Sequence, residues 1–307
     1  MDYEKLVLDN QDKIKENNSK IFNVLVKDPF IINFLEENNM DEQFLKDHLY
    51  SFLDYYEANK VCNKCSSLQQ CPFDLKGYKI KYSYDKILTK KFVRCDYLKA
   101  NEYMFALEKN YRHYDFPKND LLLKLSLIKP KKMSEEYNRS LKEIIKHIKS
   151  NSDKGLYMFG EVGVGKSYLL KCISNEFALH NKTVAYYSMA VLENNFKGKL
   201  FDNEYINDKI SEMCRVDGLF FDDFGAVNMS DWVKYDIILQ VVDHRLENHK
   251  PMYFSSNFNY DELLKLLTNK SNGDSEGVKA IRLLERIKTL TIPLQIKGNN
   301  LRRLNND

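Results

Sequence analysis

The chain has 307 residues, of which 43% are hydrophobic and 30% charged, and its formal net charge is +3. This length allows two domains, and this composition supports a globular core and excludes wholesale disorder. The small net charge excludes a polybasic nucleic-acid coat, and no stretch approaches the roughly 18 apolar residues that a membrane span requires. Because the first residues also lack the pattern of a secretory leader, we expect a cytoplasmic protein without a membrane partner.

The N-terminal third divides into a helical segment and a small module. From Asp2 to Tyr56, apolar residues such as Ile21, Val24 and Leu25 recur at helical spacing, which predicts two or three packed helices. Between residues 59 and 101 the sequence changes to short segments rich in tyrosine and lysine. This second pattern is typical of a small β-containing module with little core of its own.

The cysteines of this module are spaced like metal ligands. The four that fall in it are Cys62, Cys65, Cys71 and Cys95. Thiolates are the ligands that tetrahedral zinc prefers, and a structural metal stabilises a segment with little apolar core. We therefore predict a Zn²⁺ site built from these four residues. Cys172 and Cys214 lie in apolar helical patterns and are predicted to be core thiols.

A linker is expected in the middle of the chain. Pro117 and Pro130 flank a leucine-rich run, Leu121 to Leu127, which we interpret as a short helix docked on one of the domains. We accordingly predict an N-terminal domain over residues 1–112, a linker over 113–133 and a C-terminal domain over 134–307.

The C-terminal segment alternates strands and helices. Ser134 is a candidate helix cap, because Glu135 and Glu136 would follow it in the first turn. Five apolar runs are predicted as strands: Gly155 to Phe159, Thr183 to Ser188, Gly218 to Phe221, Pro251 to Ser255, and Leu290 to Ile296. Helical patterns lie between these runs. The alternation predicts the α/β class, with a five-stranded parallel sheet covered on both faces.

A glycine-rich loop follows the first of these strands and has the pattern G-x-x-x-x-G-K-S. It predicts ATP binding, because backbone N–H groups and a helix N-terminus can surround the phosphates. The residues assigned to the nucleotide are Gly160, Glu161, Val162, Gly163, Val164, Gly165, Lys166, Ser167 and Tyr168. Lys166 would contact the β and γ phosphates, and Ser167 would place its hydroxyl on Mg²⁺. The motif therefore predicts a P-loop ATPase.

Polar residues also end two later strands. Asp222 and Asp223 fit an acid site in which Asp222 holds Mg²⁺ and Asp223 polarises the attacking water. Asn257, at the end of the fourth strand, is expected between the acid and phosphate sites, where it would orient that water. An arginine commonly completes such a site, in cis or from a neighbour. The candidates are Arg245, Arg282, Arg286, Arg302 and Arg303.

Taken together, these motifs resemble the AAA+ helicase loaders of the DnaC/DnaI type. The resemblance rests on the glycine-rich loop, on Phe-Asp-Asp-Phe-Gly-Ala at residues 221–226, on Ser-Asp-Trp-Val at 230–233, on Asp-His-Arg at 243–245, on Ser-Ser-Asn-Phe at 255–258, and on Ala-Ile-Arg-Leu-Leu-Glu-Arg-Ile at 280–287. It spans nearly the whole chain.

The resemblance implies roles that the residues alone leave open. Arg286 is expected to act on a neighbour's nucleotide, with Arg282 the alternative, and Arg302 with Arg303 resembles a sensor-2 region. Such loaders carry a zinc module, some with a histidine ligand, for which His113 is a distant substitute here. The resemblance implies self-association through the ATPase domain, binding of single-stranded DNA, and docking of the N-terminal region on the hexameric replicative helicase.

Two other functions share the same ATPase pattern. IstB-like ATPases, which assist a transposase in choosing target DNA, resemble these loaders closely, and only the N-terminal zinc module with its helical lead-in favours the loader. A chaperone-like AAA+ adaptor that binds proteins alone is the third reading.

Overall fold

The computed structural model describes residues 3–150, 152–226, 229–268 and 274–301. The chain divides into two compact units, Met1–Glu102 and Tyr103–Asp307. Within the described residues, no helix is both long enough and apolar enough to cross a membrane.

The first unit begins with four helices, where the apolar spacing predicted two or three. They are α1 (Tyr3–Leu25), α2 (Pro29–Glu37), α3 (Glu42–Asp47) and α4 (Leu49–Cys62). Asp28 and Asp41 begin α2 and α3 by accepting hydrogen bonds from backbone amides of the first turn. Leu25, Ile31 and Phe52 are almost completely buried in the core that these helices share.

A β-hairpin and a fifth helix complete this unit. Strands β1 (Tyr78–Asp85) and β2 (Ile87–Arg94) pair antiparallel, and Lys86 adopts a positive φ of 64° in the turn between them. The predicted β-containing module is therefore present. Helix α5 (Asp96–Glu108) begins in the first unit and ends in the second.

The second unit is a parallel sheet with helices on both faces. Its strands are β3 (Tyr111–Tyr114), β4 (Gly155–Phe159), β5 (Val184–Ser188), β6 (Gly218–Asp222), β7 (Met252–Ser256) and β8 (Thr291–Gln295). They lie in the order β3-β5-β6-β7-β4-β8, and every pairing is parallel. The helices are α6 (Glu135–Lys149), α7 (Lys166–Leu179), α8 (Met189–Gly198), α9 (Asn203–Arg215), α10 (Leu239–Glu247), α11 (Tyr260–Thr268) and α12 (Asp274–Leu290), with a π-helical segment at Trp232–Ile238.

Alternating residues of the strands pack into two separate cores. Tyr186 and Phe220 belong to one core, and their neighbours Tyr187 and Phe221 belong to the other. All four are almost completely buried. Because successive side chains of a strand point to opposite faces, a sheet covered on both sides reads as a continuous apolar run.

The expected five strands become six. The additional strand is β3, which pairs only with β5 at one edge of the sheet. Its sequence, Tyr-Arg-His-Tyr, is short and half polar, because an edge strand needs no apolar run. The other five strands lie where the sequence predicted them, to within one residue at each end.

The linker predicted over residues 113–133 is corrected by the structure. This segment belongs to the second compact unit, whose boundary lies at Glu102 and Tyr103. Phe116 and Leu121 are buried in the core beside α7, and the leucine-rich run forms 3₁₀ turns at Lys118–Leu122 and Leu125–Leu127. The prolines therefore mark turns of a packed segment, which sequence pattern alone does not distinguish from a linker.

Candidate functional site

The glycine-rich loop joins β4 to α7, and its backbone requires glycine. Gly165 precedes the helix with a φ of 95°, in the left-handed region that favours glycine. A Cβ added at Gly160, whose φ is 152°, would lie 2.2 Å from the carbonyl oxygen of Ile296. The loop is thus closed against the segment that follows β8, and it leads into the N-terminus of a fourteen-residue helix, the end that favours an anion.

Lys166 lies at the centre of the loop. Its ammonium donates to the carbonyl oxygens of Gly160 at 2.9 Å and Glu161 at 2.7 Å, and to Asn257 Oδ1 at 2.8 Å. The side chain is only 5% exposed. An anionic phosphate is a stronger acceptor for an ammonium group than these three neutral oxygens are.

Asp222 ends β6 and Asp223 follows it, and the two residues lie in different environments. Asp222 is buried and accepts a hydrogen bond from the Ser255 hydroxyl, whereas Asp223 is exposed. The backbone N–H of Asp223, whose φ is 58°, donates to the same hydroxyl oxygen at 2.9 Å. Ser255, completely buried on β7, therefore fixes the first carboxylate and the backbone of the second.

The sheet order explains why Asn257 meets the loop. Strand β7 lies between β6, which carries the acid pair, and β4, which leads into the loop. Asn257 follows β7 directly and is bonded to Lys166. Asn257 therefore lies at the end of the strand between the acid-bearing strand and the strand that leads into the loop.

The sequence did not reveal Tyr186, which lies near the acid pair. Burial raises the pKa of Tyr186 well above its ordinary value, and the nearby charge of Asp222 raises it further. A tyrosine inside a buried strand looks like a core residue, because nothing in its local pattern reports a carboxylate on the neighbouring strand.

The arginine candidates fall into three groups. Arg245 is completely buried and donates to four backbone carbonyl oxygens, so it is excluded as a ligand for phosphate. Arg282 and Arg286, one turn apart on α12, both form ion pairs with Asp243 of α10. Arg302 and Arg303 lie outside the described residues.

The four cysteines of the first unit line a single cavity of about 160 Å³. Backbone amides donate to two of their sulfurs, from Gly77 to Cys71 Sγ at 3.5 Å and from Leu98 to Cys95 Sγ at 3.4 Å. Burial, and then the neighbouring Cys71, raises the pKa of Cys62. Backbone N–H groups that donate to sulfur stabilise thiolates, and clustered thiolates are suitable ligands for a soft metal.

The geometry of the predicted zinc ligands supports a metal site less well than their chemistry does. Within the described ranges, no group of three or more histidine, cysteine or acidic side chains is arranged to hold a metal ion. His113 lies on β3 in the second unit, 2.7 Å from Asp115, and stacks on Tyr187. It is therefore not a substitute ligand. Cys172 and Cys214 are buried, which confirms them as core thiols.

Known families match both units of the chain. The family described as IstB-like ATP binding protein matches residues 93–307. The family described as primosomal protein DnaI N-terminus matches residues 4–97. The two matches leave almost none of the chain unassigned and meet near the boundary between the compact units.

Individual relatives agree with these families. The chain is 29% identical to the replicative helicase loader DnaI of Bacillus subtilis over 96% of its length and 94% of that protein. It is 30% identical to the replicative helicase loader DnaC of Escherichia coli over 35% of its length and 44% of that protein. A crystal structure of DnaI, 30% identical, superposes with a TM-score of 0.54 over 62% of this chain and all of the other.

Proposed function

This chain belongs to the family of IstB-like ATP-binding proteins, and from that premise we propose that it is an ATP-dependent loader of the replicative DNA helicase. The observation that carries the proposal is the joining, in one chain, of an ATP-binding unit to a segment that matches the DnaI N-terminus. The first unit docks on the hexameric helicase, and the second binds ATP and single-stranded DNA.

We propose that the loop from Gly160 to Ser167 binds the triphosphate of ATP. Lys166 exchanges its carbonyl and amide partners for phosphate oxygens, which are stronger acceptors because they are charged. Release of Lys166 frees Asn257 to orient a water molecule. The loop thus couples arrival of the nucleotide to the position of the residue that aligns the attacking water.

Hydrolysis is assigned to the acid pair. Asp223 accepts a proton from the water as its oxygen attacks the γ-phosphorus and ADP leaves. Asp222, whose carboxylate accepts a hydrogen bond from Ser255, and the hydroxyl of Ser167 would hold Mg²⁺. When bound, that ion neutralises charge on the β and γ phosphates.

The neighbouring subunit supplies the last positive charge. Arg286, or Arg282 one turn before it, reaches the γ-phosphate bound to the next chain, so that ATP stabilises self-association and hydrolysis weakens it. ATP then acts as a timer for assembly on the helicase and release from it. An Arg286→Ala variant should bind nucleotide but lose turnover and ATP-dependent assembly.

The cysteine cavity is proposed as a structural zinc site. Metal analysis of the purified chain should find about one zinc ion per chain, as four thiolate ligands require. Cys71→Ser should lose the metal and destabilise the first unit. Cys214→Ser, which changes a buried thiol of the second unit, is the matched control and should retain it. Metal-free wild-type protein with an intact first unit would contradict this assignment.

A second function is favoured by one observation. The match over residues 93–307 is to IstB-like proteins, and the runner-up is an ATPase that assists a transposase in choosing target DNA. The DnaI N-terminus match over residues 4–97 and the 29% identity to DnaI over 96% of the chain support the loader instead.

Affinity capture tests the choice directly. The full chain should retain the hexameric replicative helicase of the same cell, and a Tyr103–Asp307 fragment, which keeps the whole second unit, should not. Lys166→Ala is the control, since a nucleotide-site defect leaves the first unit intact. Failure of the full chain to capture the helicase would contradict the loader function. Capture by the fragment, which lacks the first unit, would contradict the assignment of docking to that unit.

A further inference from the structure

We propose that Asp243 is a positioning residue, which holds Arg282 and Arg286 ready for the nucleotide of a neighbouring chain. The inference rests on the proposed function, because it gives both arginines a role in trans. Asp243 itself would touch neither ATP nor water. It acts by fixing where the two guanidinium groups are presented.

One carboxylate joins both arginines. Arg282 NH2 lies 2.6 Å from Asp243 Oδ2, and Arg286 Nε lies 3.0 Å from Asp243 Oδ1. The arginines are four residues apart on α12, so they lie on the same face of that helix. Asp243 on α10 therefore contacts both with different oxygens.

The charges in this cluster do not balance. Among the side chains that the structure describes, two guanidinium groups pair with a single carboxylate, which leaves an excess of one positive charge. The side chains of Arg282 and Arg286 remain 56% and 43% exposed, whereas that of Asp243 is 24% exposed. The excess charge is thus on the solvent side, where an incoming phosphate oxygen can reach it.

Helix packing does not depend on this cluster. Beside it, Val242 of α10 and Leu283 and Ile287 of α12 are completely buried in the same core. Apolar burial of this kind holds two helices together without an ion pair, and exposed ion pairs contribute little to stability. The carboxylate has a clearer role in restricting the arginines, since a free arginine side chain samples many rotamers and a positioned one is prepared for its ligand.

Mixing two inactive variants of the full chain isolates the effect. A donor carrying Lys166→Ala lacks a working nucleotide site but retains its arginines. An acceptor carrying Arg282→Ala and Arg286→Ala retains the site but has no arginines to donate. If the arginines act in trans, the mixture regains ATP turnover that neither variant shows alone.

Asp243→Asn is then placed in one partner at a time. In the donor it should lower the restored turnover about tenfold, a fraction of the 10³-fold or larger effect typical of removing such an arginine, while the KM for ATP stays the same. In the acceptor, which has no arginines to position, the same change should cost nothing. Glu285→Gln in the donor is the matched control, because Glu285 is an exposed acid of α12 that pairs with Lys288.

The outcomes separate the two proposals. Equal losses from Asp243→Asn in either partner would show a purely structural role and overturn the inference, as would an unchanged rate with the donor variant. If the starting mixture regains no turnover, the arginines do not act on a neighbour's nucleotide, and the inference fails together with that part of the proposed function. Restored turnover that falls only when the donor carries the change supports both.

Discussion

Arg245 shows how a residue type associated with phosphate can serve the fold instead. Its guanidinium is completely buried and donates to the carbonyl oxygens of Met213, Val216, Asp217 and Pro251. Burial lowers its pKa to about 10, which still leaves the group charged at neutral pH. These bonds join the end of α9 to the approach to β7.

Replacing Arg245 should therefore destabilise the second unit. Arg245→Met should lower the free energy of unfolding by about 3–5 kcal/mol, because four carbonyl oxygens lose their donors in the interior. Arg245→Lys should recover little of this, since an ammonium cannot reproduce the planar fork. Urea unfolding measures both. Arg215→Met, an exposed change on the same helix end as the bonded carbonyls, should stay within about 0.5 kcal/mol.

His147 should make stability depend on pH. Burial lowers its pKa below the ordinary 6.5, and its Nε2 lies 3.4 Å from the Tyr253 hydroxyl. As pH falls below 6.5 the unfolded chain takes up a proton that the folded chain resists, so this contribution destabilises the fold progressively towards the lower folded pKa.

The test of His147 is a comparison of slopes. His147→Gln should reduce the loss of unfolding free energy between pH 7.5 and 5.5 by up to about 1 kcal/mol. The exposed His244→Gln serves as the control. An unchanged slope in the His147 variant would show that its burial has no part in acid sensitivity.

Residue positions were predictable from sequence where local spacing dictates them. The glycines and Lys166 follow from the geometry of a loop between a strand and a helix, and the position of Asn257 follows from the winding of the sheet. The link between Asp243 and Arg282 spans 39 residues and joins two helices, so no local pattern reports it. Tyr186 was missed for the same reason.

At the scale of elements, β3 was the strand that the sequence concealed. It forms an edge, where a strand of four residues with polar members is sufficient. The Tyr111 hydroxyl oxygen nevertheless lies 2.8 Å from both Ser174 Oγ and Asn175 Oδ1 on α7, which anchors this strand to the helix of the phosphate loop. Strands β4, β5, β6 and β7 were predictable because burial on both faces favours a run of mainly apolar residues.

Shortening the chain tests the contribution of this strand. A Tyr103–Asp307 fragment should unfold cooperatively, whereas a fragment over residues 134–307 should lose at least about 3 kcal/mol or aggregate. The shorter fragment lacks Phe116 and Leu121 from the core and leaves the edge of β5 unpaired. Urea unfolding and light scattering distinguish the two. Equal stability of the two fragments would show that residues 113–133 act as a linker.

At the scale of the whole molecule, the chain joins two kinds of sequence. The second unit carries motifs whose residue types and spacing follow from phosphate chemistry, and for this reason its fold class was predictable. The first unit has no such motif apart from its cysteines, and its proposed docking on a helicase depends on the similarity of residues 4–97 to the DnaI N-terminus. The boundary at Glu102 was not predictable, because α5 runs across it without a break.

We propose that ATP bound at Lys166 drives placement of a ring helicase on DNA. It is tested most directly by incubating the hexameric replicative helicase with closed circular single-stranded DNA, which has no end to thread, and counting hexamers that remain on the circle after a salt wash. With the full chain and ATP, loaded helicase should increase severalfold, whereas Lys166→Ala should bind helicase without loading it. Equal loading by wild type and Lys166→Ala, or equal loading without the chain, would contradict the account.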